Sequence, residues 1–136
     1  MLKALLLFLP VLVFTTFAAA APAVPITTSH DQGVYGIHLF FNETEFVDVL
    51  SLDFDPAGLK GHMHVPDDFD GEIANAILQD QQIEFDLFVP KNGARPTDLI
   101  FHYQGVFFDE TRKQLTGTVT IKGEKTFLAA FVGFRR

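Results

Sequence analysis

Residues 108–121 read Phe-Asp-Glu-Thr-Arg-Lys-Gln-Leu-Thr-Gly-Thr-Val-Thr-Ile, and residues 54–65 read Phe-Asp-Pro-Ala-Gly-Leu-Lys-Gly-His-Met-His-Val. In both stretches an acidic turn precedes the pattern Leu-x-Gly-x-apolar-x-apolar. Apolar side chains at every second position are typical of a half-buried β-strand. Acidic residues with Gly, Pro or Thr between two such segments are typical of tight turns. Each copy therefore predicts a β-hairpin.

The chain from Gly33 to Phe134 follows the same plan throughout. Apolar and polar side chains alternate in most segments, which is the pattern of an antiparallel sheet with one buried face and one wet face. The eight predicted strands are Gly33–Phe41, Phe46–Phe54, Leu59–Val65, Glu72–Leu78, Gln82–Val89, Asp98–Phe107, Gln114–Lys122 and Thr126–Phe134. The fourth segment also fits a short helix, because Ile73, Ala76 and Ile77 would share a helical face. We favour the strand.

Glycines inside the predicted strands favour a barrel over a sandwich. Glycine weakens a strand unless a bend or a close approach requires it, and a small closed barrel contains such bends. These glycines are Gly36, Gly61, Gly105, Gly117 and Gly133. The sequence therefore predicts an all-β fold, a single antiparallel up-and-down eight-stranded barrel preceded by a signal peptide.

The first and last predicted strands are apolar on both faces. Segments 35–41 and 127–134 contain few polar side chains. Two explanations are open: the strands pair with each other to close the barrel, or one outer face lies in a homo-oligomer contact.

The first 20 residues have the features of a secretory signal peptide. Lys3 is followed by an apolar run that ends at Phe17, and small residues from Ala18 to Ala21 suit a signal peptidase. The alternative, a retained membrane anchor, would need an apolar run of about 20 residues. We predict a signal peptide over residues 1–20, a flexible arm over 21–32 and a β-barrel domain over 33–136. The mature protein would be secreted, or periplasmic in a bacterium, and not bound to a membrane.

Charge and cysteine content narrow the function classes. The formal net charge is −7, and removal of Lys3 with the leader makes it −8. Nucleic acid and anionic membranes bind clustered Lys and Arg, so neither is an expected partner. The chain has no cysteine, so its stability rests on packing and sheet hydrogen bonds rather than on disulfides.

Several motifs together resemble the calycin group, the avidin-like and lipocalin-like barrels. The domain opens with Gly33-Val34-Tyr35, which is similar to the Gly-x-Trp that begins such domains. Leu59-Lys60-Gly61 and Leu115-Thr116-Gly117 stand where these barrels often carry Leu-x-Gly after a hairpin. Tyr35 replaces the usual tryptophan, and the polar residues of a biotin site are not recognisable. The resemblance implies an up-and-down barrel that can enclose a cavity, and it implies no particular ligand.

Four polar side chains in strongly apolar strands are candidates for the wall of such a cavity. His38 lies between Ile37 and Leu39, and His102 lies between Phe101 and Tyr103. Ligand pockets are mostly apolar with a few polar anchors, so we predict Tyr35, His38, His102 and Tyr103 as ligand-binding residues. The alternative for the histidines is a structural hydrogen bond in a half-buried position.

Metal sites have weaker support. His62 and His64 are two residues apart and would share one strand face, which could hold a metal. Met63 and Val65 mark the other face as the buried one, so both histidines would face solvent. Asp68-Phe69-Asp70-Gly71 resembles a fragment of a calcium loop without its bidentate Glu; an acidic turn is the alternative. We predict no cofactor.

Asn42-Glu43-Thr44 is a glycosylation sequon in a predicted hairpin turn. An exposed turn of an exported protein suits glycosylation of Asn42 in a eukaryote.

Catalytic motifs are missing from the sequence. It contains no Gly-x-Ser-x-Gly and no cysteine nucleophile, and Glu84 and Asp86 fit a solvated strand face as well as acid–base work. The leading hypothesis is a secreted, non-enzymatic β-barrel that binds a small apolar or amphipathic ligand. The alternatives are a secreted protein-interaction module of the inhibitor or adhesion type, and a cavity enzyme of the cyclase or isomerase type.

Overall fold

A computed structural model describes residues 31–136 of the chain as a closed eight-stranded barrel. The predicted signal peptide and residues 21–30 of the predicted arm lie outside the described residues. The strands are β1 (Asp31–Phe41), β2 (Thr44–Asp55), β3 (Gly58–Val65), β4 (Phe69–Gln79), β5 (Gln82–Val89), β6 (Leu99–Phe107), β7 (Gln114–Lys122) and β8 (Thr126–Arg135). Each strand pairs antiparallel with the next, and β8 pairs with β1. The predicted all-β, up-and-down barrel is confirmed.

The two copies of the repeated pattern form the β2–β3 and β6–β7 hairpins through the same local bond. The Asp55 carboxylate accepts a hydrogen bond from the Ala57 backbone N–H at 2.8 Å. The Asp109 carboxylate accepts one from the Thr111 N–H at 2.9 Å. An Asp that bonds to the backbone two residues later starts a turn, which explains why an acidic residue opens both copies.

The β1–β2 hairpin turns through Asn42 and Glu43, both with positive φ (47° and 61°). Two central residues with positive φ match the twist of paired strands, and Asn tolerates this conformation better than most residues.

The fourth strand is a strand and not a helix, and an irregularity explains its ambiguous sequence. The pairing of β4 with β5 shifts register between Ala74 and Ile77, and Asn75 has a φ of 52°. The more buried positions therefore change parity, from Ile73 before the bulge to Ala76 and Leu78 after it. One extra residue at a bulge turns a period of two into a spacing of three, which imitates the helical pattern.

Pairing between β1 and β8 closes the barrel, as one of the two explanations for their apolar faces predicted. Their register joins Ile37 to Gly133 and Leu39 to Phe131. The Arg135 guanidinium donates hydrogen bonds to the Asp31 carboxylate at 2.7 Å and to the Gln32 carbonyl at 2.6 Å. These bonds hold the start of β1, which begins at Asp31 rather than at Gly33.

The two ends of the barrel differ. At the end that carries the β2–β3 and β6–β7 turns, Tyr35 donates a hydrogen bond to the Arg112 carbonyl at 2.7 Å. The Arg112 guanidinium lies 4.3 Å from the centre of the Phe54 ring, and Phe107 packs against both Tyr35 and Phe54 with ring centres 5.9 Å apart. These aromatic rings pack together at this end, which we call the closed end. Residues 31–136 contain no helix long and apolar enough to cross a membrane.

Gly117 occupies a position where β6 and β7 approach too closely for a side chain. It pairs with Gly105, and a Cβ added at Gly117 would lie 2.6 Å from the Gly105 Cα. We expect Gly117→Ala to lower the free energy of unfolding by about 2–3 kcal/mol, because the strand backbone must move to admit the methyl group. Urea unfolding monitored by circular dichroism would measure the loss as a lower midpoint.

The control for this substitution is Gly93→Ala, since a Cβ at Gly93 would meet no atom within 4 Å. We expect it to change stability by less than about 0.5 kcal/mol. Equal midpoints for the two variants would contradict the close approach of β6 and β7.

Candidate functional site

The open end of the barrel contains a cavity of about 320 Å³. It lies where the hairpins β1–β2, β3–β4, β5–β6 and β7–β8 turn, opposite the closed end. Its volume is at the small end of the roughly 300–1,000 Å³ typical of ligand pockets. The lining is mostly apolar and draws on every strand: Leu39, Phe41, Phe46, Asp48, Val65, Asp68, Phe69, Leu87, Val89, Arg95, Leu99, Phe101, Tyr103, Ile121 and Phe127.

Asp48 places a carboxylate in this apolar lining. Alternation along β2 puts it on the same inward face as Leu50 and Leu52, and it is 6 % exposed. Within residues 31–136, no hydrogen bond or ion pair satisfies its carboxylate. Burial raises the pKa of Asp48 to about 6; the nearby Asp68 carboxylate adds to this increase and His64 opposes it. Burying a carboxylate without a hydrogen-bond partner costs free energy of folding. Buried groups with a shifted pKa are typical of functional positions.

Tyr103 supplies the second polar group of the cavity. Its ring stacks on Phe85 with centres 4.7 Å apart and meets the edge of Phe131 at 5.4 Å. The residue is 1 % exposed, and its hydroxyl group is buried without a hydrogen-bond partner in the described part of the chain. Burial, and then the charge of Asp48, raise the pKa of the Tyr103 phenol, so the hydroxyl stays protonated and can donate or accept a hydrogen bond.

An ion pair bridges two loops at the mouth of the cavity. The Arg95 guanidinium donates to both oxygens of Asp68 at 2.8 and 3.1 Å, and to the Pro90 carbonyl at 2.9 Å. Asn92 donates a further hydrogen bond to Asp68 at 2.8 Å. The bond to Arg95 is the main reason that the pKa of Asp68 is lowered. The charge of Arg95 is thus already paired within the protein.

These features define what the cavity can do chemically. Its walls are apolar, and its Asp48 carboxylate and Tyr103 hydroxyl have no hydrogen-bond partner among the residues that the structure describes. A guest that is apolar and carries one polar group satisfies both conditions.

The four predicted ligand-binding residues do not converge on this cavity. Tyr103 lines it. Tyr35 points into the barrel but bonds at the closed end. His38 and His102 lie on the outer face, where their Nδ1 atoms are 2.5 Å from Glu45 and 2.6 Å from Asp86. Both histidines thus have the structural hydrogen bonds of the alternative explanation. Ligand binding by any of the four stays a prediction.

The other predicted positions lie on the outside of the barrel. His62 and His64 face solvent, as the alternation of β3 predicted, and both contact the Asp70 carboxylate, at 3.3 and 2.5 Å. No group of three or more His, Cys, Asp or Glu suited to a metal ion occurs among residues 31–136. In the calcium-like fragment, Asp68 is bonded to Arg95 and Asp70 to the histidines.

Asn42 is exposed in its turn, which leaves its glycosylation a prediction. Glu84 and Asp86 lie beside His102 on the outer face, and Asp86 also accepts a hydrogen bond from Asn75 at 2.9 Å.

Asp48 is the site residue that the sequence analysis missed. The signal was present, because Leu50, Leu52 and Phe54 mark one face of the strand and Asp48 continues that face at the same spacing. The pairing of Arg95 with Asp68 had no such signal, since the two residues lie in different loops, 27 positions apart.

No protein-family model, curated protein or solved structure matches the chain at a significant level.

The raised pKa of Asp48 makes stability depend on pH in a defined direction. Its folded-state pKa of about 6 lies above the ordinary value of 3.8, so the folded state binds the proton more tightly than the unfolded state. Stability from this group is therefore lost as the pH rises from about 4 to 7, by about 2–3 kcal/mol. We expect Asp48→Asn to match the wild type near pH 4 and to exceed its free energy of unfolding near pH 7.5.

Urea titrations of both proteins between pH 4 and 8 would measure this difference. The control is Asp80→Asn, an exposed turn residue with a φ of 55° that Asn also tolerates; its effect should stay within about 0.5 kcal/mol at every pH. A constant difference between Asp48→Asn and wild type across this range would rule out a buried, titrating Asp48.

Proposed function

We propose that the protein is a secreted, non-enzymatic β-barrel that binds a small apolar or amphipathic ligand in the open end of the barrel. The cavity carries the proposal: about 320 Å³ of apolar-walled space in which Asp48 and Tyr103 find no hydrogen-bond partner within residues 31–136. Closely packed side chains leave few voids in ordinary protein interiors, and buried polar groups are nearly always paired. A bound ligand that carries a polar group explains both the unfilled space and the buried polar groups that lack partners.

The calycin-like assignment is part of this proposal. Its support is the eight-stranded up-and-down topology together with the Leu-x-Gly hairpins and the opening Gly33-Val34-Tyr35. A barrel that is packed at one end and open at the other suits a carrier.

The location is proposed from the leader and the charge. A signal peptide over residues 1–20 would export the chain, and glycosylation of Asn42 would follow in a eukaryote. The acidic balance argues against nucleic acid as a partner.

Binding of a neutral fluorescent probe tests the carrier function. N-phenyl-1-naphthylamine is uncharged near pH 7 and fluoresces more strongly in apolar surroundings. We expect it to bind the mature protein, and we expect Val65→Trp to raise its Kd by about ten-fold or more, because Val65 lines the cavity and the larger ring would occupy the space of the probe.

Val106→Trp is the matched control, because Val106 is 45 % exposed on the outside of β6 and its replacement leaves the cavity intact. Its Kd should remain within about two-fold of the wild-type value. An unchanged fluorescence of the probe with wild-type protein, or equal losses in the two variants, would refute a ligand-binding cavity.

A second candidate function, a protein-interaction surface, is favoured by the outer apolar stripe. We use this name for Leu128, Ala130, Val132 and Phe134 of β8 with the adjoining Phe40 of β1. Leu128 is 68 % exposed and Phe40 is 48 % exposed, and Phe40 lies beside Ala130 in the β1–β8 register. Contiguous apolar patches on a surface mark contacts with partners. A second copy of the chain is the simplest occupant.

Sedimentation velocity of Phe40→Glu tests self-association through the stripe. If copies associate there, the wild type sediments as a dimer at tens of micromolar and Phe40→Glu as a monomer, because the dimer would bury the new carboxylate. Phe88→Glu is the control, since Phe88 is 56 % exposed on β5, away from the stripe. A wild type that is monomeric, or a dimer that survives Phe40→Glu, would exclude this contact.

A further inference from the structure

The polar groups of the cavity differ in charge, and this difference selects among amphipathic ligands. Asp48 is a buried acid with no donor among the described residues, and Tyr103 adds a hydroxyl group with no partner. An ionised carboxylate accepts hydrogen bonds and cannot donate them. The guest that satisfies it must therefore bring the N–H or O–H group.

An anionic guest does not fit this lining. Arg95 is the only cationic side chain among the described residues that line the cavity, and its charge is already paired with Asp68, while Asp68 and the Pro90 carbonyl together accept four of its five N–H groups. A fatty acid or another carboxylate would meet the unpaired charge of Asp48 without a free counter-charge. Repulsion between like charges is strong where water is excluded.

A cationic guest fits on two independent grounds. Its charge pairs with Asp48, and hydrogen bonds between ionised groups are about twice as strong as those between neutral ones. The walls also carry aromatic rings, whose faces attract organic cations within about 6 Å of the ring centre. These rings belong to Phe41, Phe46, Phe69, Phe101 and Phe127.

We propose that the ligand of this cavity is an organic ammonium ion, an amine whose apolar body fills the aromatic-walled end of the barrel and whose N–H groups donate to Asp48 and to the Tyr103 hydroxyl. The inference rests on the proposed carrier function and names the ligand class for the same site. The cavity volume of about 320 Å³ limits the guest to a small amine.

The ligand class implies a direction for the pH dependence of binding. Two charged or titratable groups act on Asp48, namely Asp68 in the β3–β4 turn and His64 of β3, and two more share the cavity lining with it, namely Arg95 in the β5–β6 loop and Tyr103 of β6. The lining side chains of β1, β4, β5, β7 and β8 are apolar. Protonation of Asp48 removes the counter-charge of the amine, so affinity falls as the pH drops below the Asp48 pKa of about 6. The electrostatic influence of His64 favours the ionised form of Asp48 and so opposes this change.

Three ligands with one apolar body test the inference: 4-phenylbutylamine, 4-phenylbutanol and 4-phenylbutyrate. Displacement of N-phenyl-1-naphthylamine at pH 7.5 would give the three Kd values. We expect the amine to bind about ten-fold or more tightly than the alcohol, and the butyrate to bind most weakly. Between pH 7.5 and 5, the Kd of the amine should rise by a larger factor than that of the alcohol.

Asp48→Asn removes the charge and keeps the shape of the side chain. We expect it to weaken the amine about ten-fold more than it weakens the alcohol, because only the amine loses a counter-charge. Circular dichroism would check its fold, and Asp48→Ala serves as a second variant with the same expectation. Arg95→Gln distinguishes the anion alternative: loss of butyrate binding in this variant, with butyrate the tightest ligand of the wild type, would overturn the inference.

The outcomes separate this inference from the function on which it rests. Equal affinities for amine and alcohol, or an amine affinity unchanged in Asp48→Asn, overturn the ammonium assignment and leave the cavity as a neutral-ligand site. Failure of the neutral probe and of all three ligands to bind overturns the carrier function itself.

Discussion

Backbone pairing between β1 and β8 is the interaction on which the rest of the structure depends. An up-and-down sheet of eight strands without this pairing has two open edges and no interior. Closure brings Leu39 of β1 and Phe127 of β8 to the same cavity, 88 positions apart in sequence. The Arg135–Asp31 ion pair reinforces the seam beyond the paired backbone. The cavity is thus a product of closure, since every strand contributes to its wall.

The two ends of the barrel contribute differently to stability: one is well packed, and the other contains buried polar groups that lower the free energy of unfolding. Aromatic rings and the Tyr35–Arg112 hydrogen bond pack the closed end, while the open end holds a carboxylate and a hydroxyl group that have no partner in the described part of the chain. Removing polar groups from water without partners costs free energy. Proteins tolerate such positions when the remaining core supplies enough stability, and they occur most often at sites of function. Because the two ends are separate, the destabilising burial of Asp48 occurs away from the best-packed part of the core.

Alternation predicted the strands because one face of most strands is buried and the other is wet. It was ambiguous for β4, although the favoured strand was right, because the bulge at Asn75 shifts the register by one residue and imitates a helical spacing. For the site, apolar neighbours suggested that His38 and His102 line the cavity. Side chains alternate between the two faces of a strand, however, so inward-facing apolar neighbours place both histidines on the outer face. Parity along β2 would have placed Asp48 inside. The Arg95–Asp68 pair depends on how two loops approach, and no local pattern contains that information.

The Arg95–Asp68 ion pair has a kinetic consequence. It joins the β3–β4 turn to the β5–β6 loop across the mouth, with the Arg95 side chain 18 % exposed, so separating the two loops requires this pair to break. In the carrier that we propose, a molecule that exchanges through the mouth meets one set of charges on its path and another, at Asp48, at its destination. Residence time and affinity become separately adjustable: changes at the mouth alter both rates of exchange together, whereas changes at Asp48 act mainly on escape. In such a carrier, changes in loop length or charge around Arg95 would alter how long a guest is held without altering which guest is chosen.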